Sequence, residues 1–146
     1  MSTAPINVLQ TEWVTLQTQY DSYEKCSLGI KLFNILQSCM LVFAFNIGIW
    51  SLSITAILWL QDAIWKTFQS RIGQRLEVVE HAIEVNLSSE PHPSLALGMQ
   101  FNLAWNQTRP NALKLISEYL KQGLKPTVAY PHVMLMAVLI ARHYIH

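Results

Sequence analysis

Apolar positions follow two different rules along this chain. From Ile6 to Lys25 they recur at Leu9, Trp13, Leu16, Tyr20 and Tyr23, at intervals of four and three, with Gln and Thr between them. Such a heptad-like seam predicts an amphipathic helix with one contact face, and Pro5 suits its first turn. From Leu32 to Gln61 a second rule takes over, and no position carries a charged side chain. A charge-free run well beyond about 18 residues marks insertion into a bilayer rather than burial in a water-soluble core. As one helix it would be roughly 45 Å long, against a hydrocarbon layer of roughly 30 Å. The run therefore either crosses once with a strong tilt or folds back on itself.

Folding back has the better support. Asn46-Ile47-Gly48 supplies a turn, since Gly and Asn tolerate left-handed backbone, and Trp50 follows where a head-group level should lie. Lys25 and Lys31 flank the first arm, Lys66, Arg71 and Arg75 the second, and the turn carries neither Lys nor Arg. By the positive-inside rule both ends of the hairpin, and with them the N-terminus, are expected in the cytoplasm.

The second arm does not stop at the bilayer. Trp65, Phe68, Ile72, Leu76, Val79 and Ile83 continue at three- and four-residue steps, with no proline before Pro91. One helix from about Ile49 to Val85 is expected, with this juxtamembrane stripe packed on the seam of the first helix. Gly73 is its weakest point, about 1 kcal/mol worse than Ala. Asn86 to Pro93 breaks the helix. Short helices are expected at about Leu95 to Asn106 and Asn111 to Gln122, the latter with a Lys114–Glu118 pair and a Gly123 C-cap. Thr127 to Tyr144 is apolar again and slightly short for a span, so a third membrane helix competes with a re-entrant or surface-lying one. The fold class is all-α membrane protein. Residues 1–26 form an amphipathic helix, 27–68 a transmembrane hairpin, 69–126 a cytosolic helical region and 127–146 a C-terminal membrane segment.

Composition sharpens this picture mainly by exclusion. Charged residues make up 13% and apolar ones 51%, and the formal net charge is +1, so nothing favours nucleic acid as a partner. Cys26 and Cys39 give neither metal spacing nor a disulfide framework. No phosphate loop, nucleophile elbow or Cys-His set occurs, so no catalytic, cofactor-binding or metal-binding residue is assigned. His81, His92, His132, His143 and His146 lack ligand spacing and read as loop or terminal histidines.

The candidate chemistry is a set of polar residues within the apolar run. Asn34, Gln37 and Ser38 share one helix face, and Ser51, Thr55 and Asp62 share another. With the turn centred on Gly48, Asn34 and Asp62 would lie opposite each other, with Lys31 in reach of Asp62. Polar residues in spans face other helices or a water-filled path, so this intramembrane face either bonds the arms together, lines a pore between subunits or relays protons through Asp62. The expected function is that of a small, non-enzymatic inner-membrane protein of bacterial type. It would act by self-assembly into a homo-oligomer, a pore or ring being one form. An accessory subunit docking on a larger membrane complex is the alternative. The bilayer and a second copy or membrane-protein partner are the expected partners.

Overall fold

The computed structural model describes residues 6–43, 48–87 and 111–145, and every secondary-structure element among them is an α-helix. We label them α1 (Ile6–Phe43), α2 (Gly48–Leu87), α3 (Ala112–Gly123) and α4 (Pro126–Ile145). The expected helix at Leu95 to Asn106 and most of the expected turn, Asn46 and Ile47, lie outside the described residues. Gly48 opens α2 rather than closing a turn.

No boundary separates the amphipathic segment from the first arm. With no proline between them, and with Gly29 facing open space, α1 runs through 38 residues, roughly 57 Å. It packs antiparallel along α2 through a heptad seam. Leu9, Leu16, Ile72, Leu76, Val79 and Ala82 fill the core of its first half, with Trp13, Tyr20, Tyr23 and Ile83 at the edges. Burying each large aliphatic side chain contributes about 1.5–3 kcal/mol.

Polar contacts pin the register of this seam. Arg75 grips Glu12 with both ends of its guanidinium, Nε at 2.8 Å and one terminal nitrogen at 3.2 Å. Trp13 Nε1 donates to Glu80 at 2.8 Å, and Gln69 Nε2 donates to the Tyr20 carbonyl at 3.2 Å and to Glu24 at 2.8 Å. Glu12 is buried within the seam, a position that an apolar count along α1 passes over.

Phe68 departs from the expected stripe. Along α2 two seven-residue series face α1, one through Thr55, Asp62, Gln69, Leu76 and Ile83, the other through Trp65, Ile72 and Val79, and Arg75 and Ala82 join them toward the N-terminus of α1. Phe68 belongs to neither. It is 40% exposed under the Arg71 guanidinium, 5.3 Å from its ring centre, and Gln69 takes the seam position. Trp65 stays with the seam, its ring 4.8 Å from that of Tyr23.

α3 and α4 form a corner of 73°. α3 ends without a left-handed residue: Leu124 is right-handed, and its N–H bonds to the Leu120 carbonyl at 3.0 Å. Gly123 is therefore not the expected C-cap. It is buried against α2, where an added Cβ would come within 3.3 Å of the Ala63 methyl, tighter than an ordinary contact, so its small size suits the close approach of α3 to α2. Glu118 reaches across to Arg71 at 3.0 Å instead of pairing with Lys114. Pro126 starts α4, where a missing N–H costs nothing.

Among the described residues α1 alone is long and apolar enough to cross a membrane, through a window of mean hydropathy 1.6 of which only 22% is buried. The bent pair of α3 with α4 reaches the same standard together, but α2 does not. Gln61, Asp62 and the tryptophans at 50, 59 and 65 lower its hydropathy.

Two substitutions test this packing. Gly73→Ala places its methyl 3.4 Å from the Tyr20 ring, an ordinary contact, so the gain in helix propensity should come through as up to about 1 kcal/mol and a higher Tm. Leu9→Ala, at a fully buried seam position, should cost about 2–5 kcal/mol in denaturant unfolding.

Candidate functional site: a buried polar core between three helices

Beyond Tyr23 and Trp65 the seam continues, but its filling changes. Ser27, Asn34 and Ser38 from α1, and Ser51, Thr55 and Asp62 from α2, are all buried. Ser27 and Asn34 follow Tyr20 at seven-residue steps, so the face that carries aromatic residues in one half of α1 carries hydrogen-bonding groups in the other.

Asp62 anchors one end of this core. Its carboxylate accepts from Ser27 Oγ at 2.5 Å, and Lys31 Nζ lies 3.5 Å away on the other oxygen. That same oxygen lies 3.4 Å from Nε2 of His132, which comes from α4 and is fully buried. His132 is thus a core residue, not the loop histidine its spacing suggested.

The other ring nitrogen of His132 lies 2.7 Å from the Asn34 side-chain amide nitrogen. Asn34 Oδ1 already accepts from Thr55 Oγ1 at 3.1 Å and from Gln37 Nε2 at 3.0 Å, so the amide NH₂ faces the ring. Nδ1 is then the acceptor, and the proton sits on Nε2, aimed at Asp62. Gln37 Nε2 also donates to Ser38 Oγ at 2.9 Å, and Ser38 stands 3.4 Å from Thr55. Ser51 Oγ and Gln37 Oε1 have no hydrogen-bond partner among the described residues.

Five of the six expected polar residues thus join one network, and the sixth, Ser51, is buried beside it. The expected pairing within it shifts by seven residues, about two helical turns. Asn34 stands across from Thr55, and Asp62 from Ser27, pairs symmetric about position 45 rather than Gly48. Asn34 and Asp62 communicate only through the His132 ring. Lys31 does reach Asp62. A lone ionisable residue in an apolar helix was the available signal for His132, and judging histidines by ligand spacing passed it over.

Chemically this is a hydrogen-bonding clamp. Ser27 donates to the carboxylate and not to the imidazole, so the three groups do not stand in the order of a Ser-His-Asp triad. No cluster among the described residues could hold a metal ion. Just outside the core, Glu24 is held below the ordinary carboxylate range, chiefly by the hydrogen bond from Lys66 (2.6 Å) and then by that from Gln69. No family model, curated protein or solved structure matches the chain.

His132→Leu strands the Asn34 amide, worth about 1–3 kcal/mol when left unpaired in a buried site, and leaves the Asp62 oxygen it faced with Lys31. Combined with Asn34→Leu it should cost less than the two single changes added together, with a coupling of at least about 0.5 kcal/mol in thermal unfolding. Additive losses would show that the two side chains do not interact. Glu24 also gives a pH signature. Because its folded pKa is depressed, its contribution is present above the ordinary carboxylate value and lost as pH falls through the folded value. The carboxylate is mostly exposed, so solvent screening limits the pair to under about 1 kcal/mol. Glu24→Gln should flatten the acid limb of a stability-versus-pH curve by that small amount.

Proposed function

We propose that this chain is an integral membrane protein, with no catalytic machinery of its own, that acts by assembling with other membrane-embedded chains, copies of itself first. One observation carries this reading: within residues 27–43, 50–65 and 126–142 most buried positions are polar and most exposed ones apolar, with Ser53, Gln61 and Thr127 as exposed exceptions. Leu32, Leu36 and Met40 on α1, Ile57 on α2 and Val138 on α4 are all more than half exposed, around a core of Asp, His, Asn, Ser and Thr. Water would demand the reverse arrangement, and lipid accepts this one.

The dimensions agree. From Ser27 to Phe43, and from Pro126 to Arg142, each helix covers roughly 24 Å along its axis, close to a bilayer interior of roughly 30 Å. Arg142 lies over the Phe43 ring, 5.6 Å from its centre, so α4 runs from the charged end of the hairpin to its far end. The hairpin with its extended second helix, and α4 as a third membrane helix, follow as parts of the proposal. All the described lysines and arginines except Arg142 gather at one end, which the positive-inside rule puts on the cytoplasmic side of an inner membrane, the N-terminus with them.

The polar core also bears on how assembly would occur. Asn34, Gln37, Ser38, Thr55 and Asp62 bond to groups of their own protomer, so subunits would meet through apolar outer faces. A pore lined by these residues would require the protomer to open. The accessory-subunit reading uses the same outer faces against a different protein.

The chain should stay with alkali-washed membranes. In detergent or nanodiscs, light scattering should give an integer multiple of 16.7 kDa. A monodisperse chain in amphiphile-free buffer would overturn the membrane reading. A monomer in nanodiscs would overturn self-assembly and favour the accessory role. Ion conductance by reconstituted vesicles, altered by Asp62→Asn, would restore the pore.

A further inference from the structure

α3 is an amphipathic helix whose apolar side has no partner among the described residues. Leu113, Ile116, Leu120 and, just beyond the helix, Leu124 form a stripe at 82%, 53%, 59% and 71% exposure. The opposite side faces α2: Glu118 bonds Arg71, and Gly123 abuts Ala63 while its carbonyl accepts from Trp59 Nε1 at 3.0 Å. At 100° per residue, Lys114 and Lys121 lie together on one flank of the stripe, with Lys125 in line beyond the helix end. All three are exposed.

We propose that α3 lies in the plane of the membrane surface, its leucine stripe among the acyl-chain ends and Lys114, Lys121 and Lys125 on anionic lipid headgroups. The proposal rests on the membrane reading and adds a lipid class to it. Three observations choose lipid over a second protein as the occupant. The α3–α4 corner of 73° turns α3 close to parallel with the surface wherever α4 crosses the bilayer. The contacts with Trp59, Ala63 and Arg71 fix its height where α2 passes from apolar to charged residues. Leu60, next to Trp59 on α2, and Tyr130, in the first turns of α4, also expose apolar surface. An apolar face with a lysine flank at that depth is the pattern of an interfacial helix, and Glu118, the one acid on α3, is already neutralised by Arg71.

The test uses the full chain with Cys26→Ser and Cys39→Ala, since both native thiols are exposed. Spin labels are placed singly at Ile116→Cys, Leu120→Cys and, as a control, Leu36→Cys. Accessibility to oxygen in the bilayer and to a water-soluble nickel chelate is measured in vesicles of phosphatidylcholine with and without phosphatidylglycerol. The labels at 116 and 120 should be oxygen-accessible and chelate-protected in the anionic vesicles. Lys114→Gln, Lys121→Gln and Lys125→Gln should each shift the bound-to-free ratio of α3 toward water by about fivefold there, with little change in phosphatidylcholine alone. Chelate access at 116 and 120 with Leu36 still in lipid overturns the proposal alone, whereas chelate access at Leu36 overturns the membrane reading. Close label–label distances between protomers at 116 would give the stripe to a second copy and overturn the proposal. Protection that ignores both the anionic lipid and the lysines overturns the headgroup assignment.

Discussion

A carboxylate without exposed surface determines how three helices meet. An isolated charge taken out of water costs several kcal/mol, so Asp62 can stay ionised in the core only where other groups replace its hydration. Ser27 and Lys31 on α1 and His132 on α4 do so, within 2.5 to 3.5 Å. These partners bring α1 and α4 to the same level of α2. His132, once turned toward Asp62, has only its second nitrogen left, and Asn34 takes it. The bonds that Asn34 Oδ1 accepts from Thr55 and Gln37 follow from the orientation that this imposes on the amide.

The α1–α2 seam therefore holds together by two kinds of physics. Between Leu9 and Tyr23 it is a hydrophobic contact, with the Glu12–Arg75 pair enclosed within it. From Ser27 to Ser38 it is a hydrogen-bonded contact enclosed by apolar side chains. The changeover falls where the outer surface changes from polar to apolar. Each half thus presents to its surroundings the opposite of what it encloses.

Much of this was legible in the residues. Seven-residue spacing marks both faces of the seam, and the clustering of Asn34, Gln37 and Ser38, and of Ser51, Thr55 and Asp62, follows from helical periodicity alone. The register was not legible, because it depends on where the chain turns. Asn46-Ile47-Gly48 suggests a pivot at Gly48, whereas the side-chain pairs are symmetric about position 45. A shift of that size exchanges the partner of every polar residue. Phe68 shows a related limit: a step of three is as helical as a step of four, and only the partner helix selects Gln69. His132 and Glu12 were missed for a different reason. Each is a polar residue in a contact face, where its burial depends on a distant partner that no local pattern reveals.

Registry explains why so many polar groups are placed where apolar ones would pack. Helices with smooth aliphatic faces gain nearly the same contact energy one turn out of step, and in lipid no hydrophobic force opposes the slip. Bonds between Ser27 and Asp62, and between Asn34, Thr55 and His132, form in one alignment only. A one-turn slip would leave several buried donors and acceptors unpaired at about 1–3 kcal/mol each, a larger penalty than any change in aliphatic contact. The polar core thus fixes the alignment of the three helices from within. On the proposed membrane reading, the outer faces of the chain are then released from that task and can contact lipid or another chain.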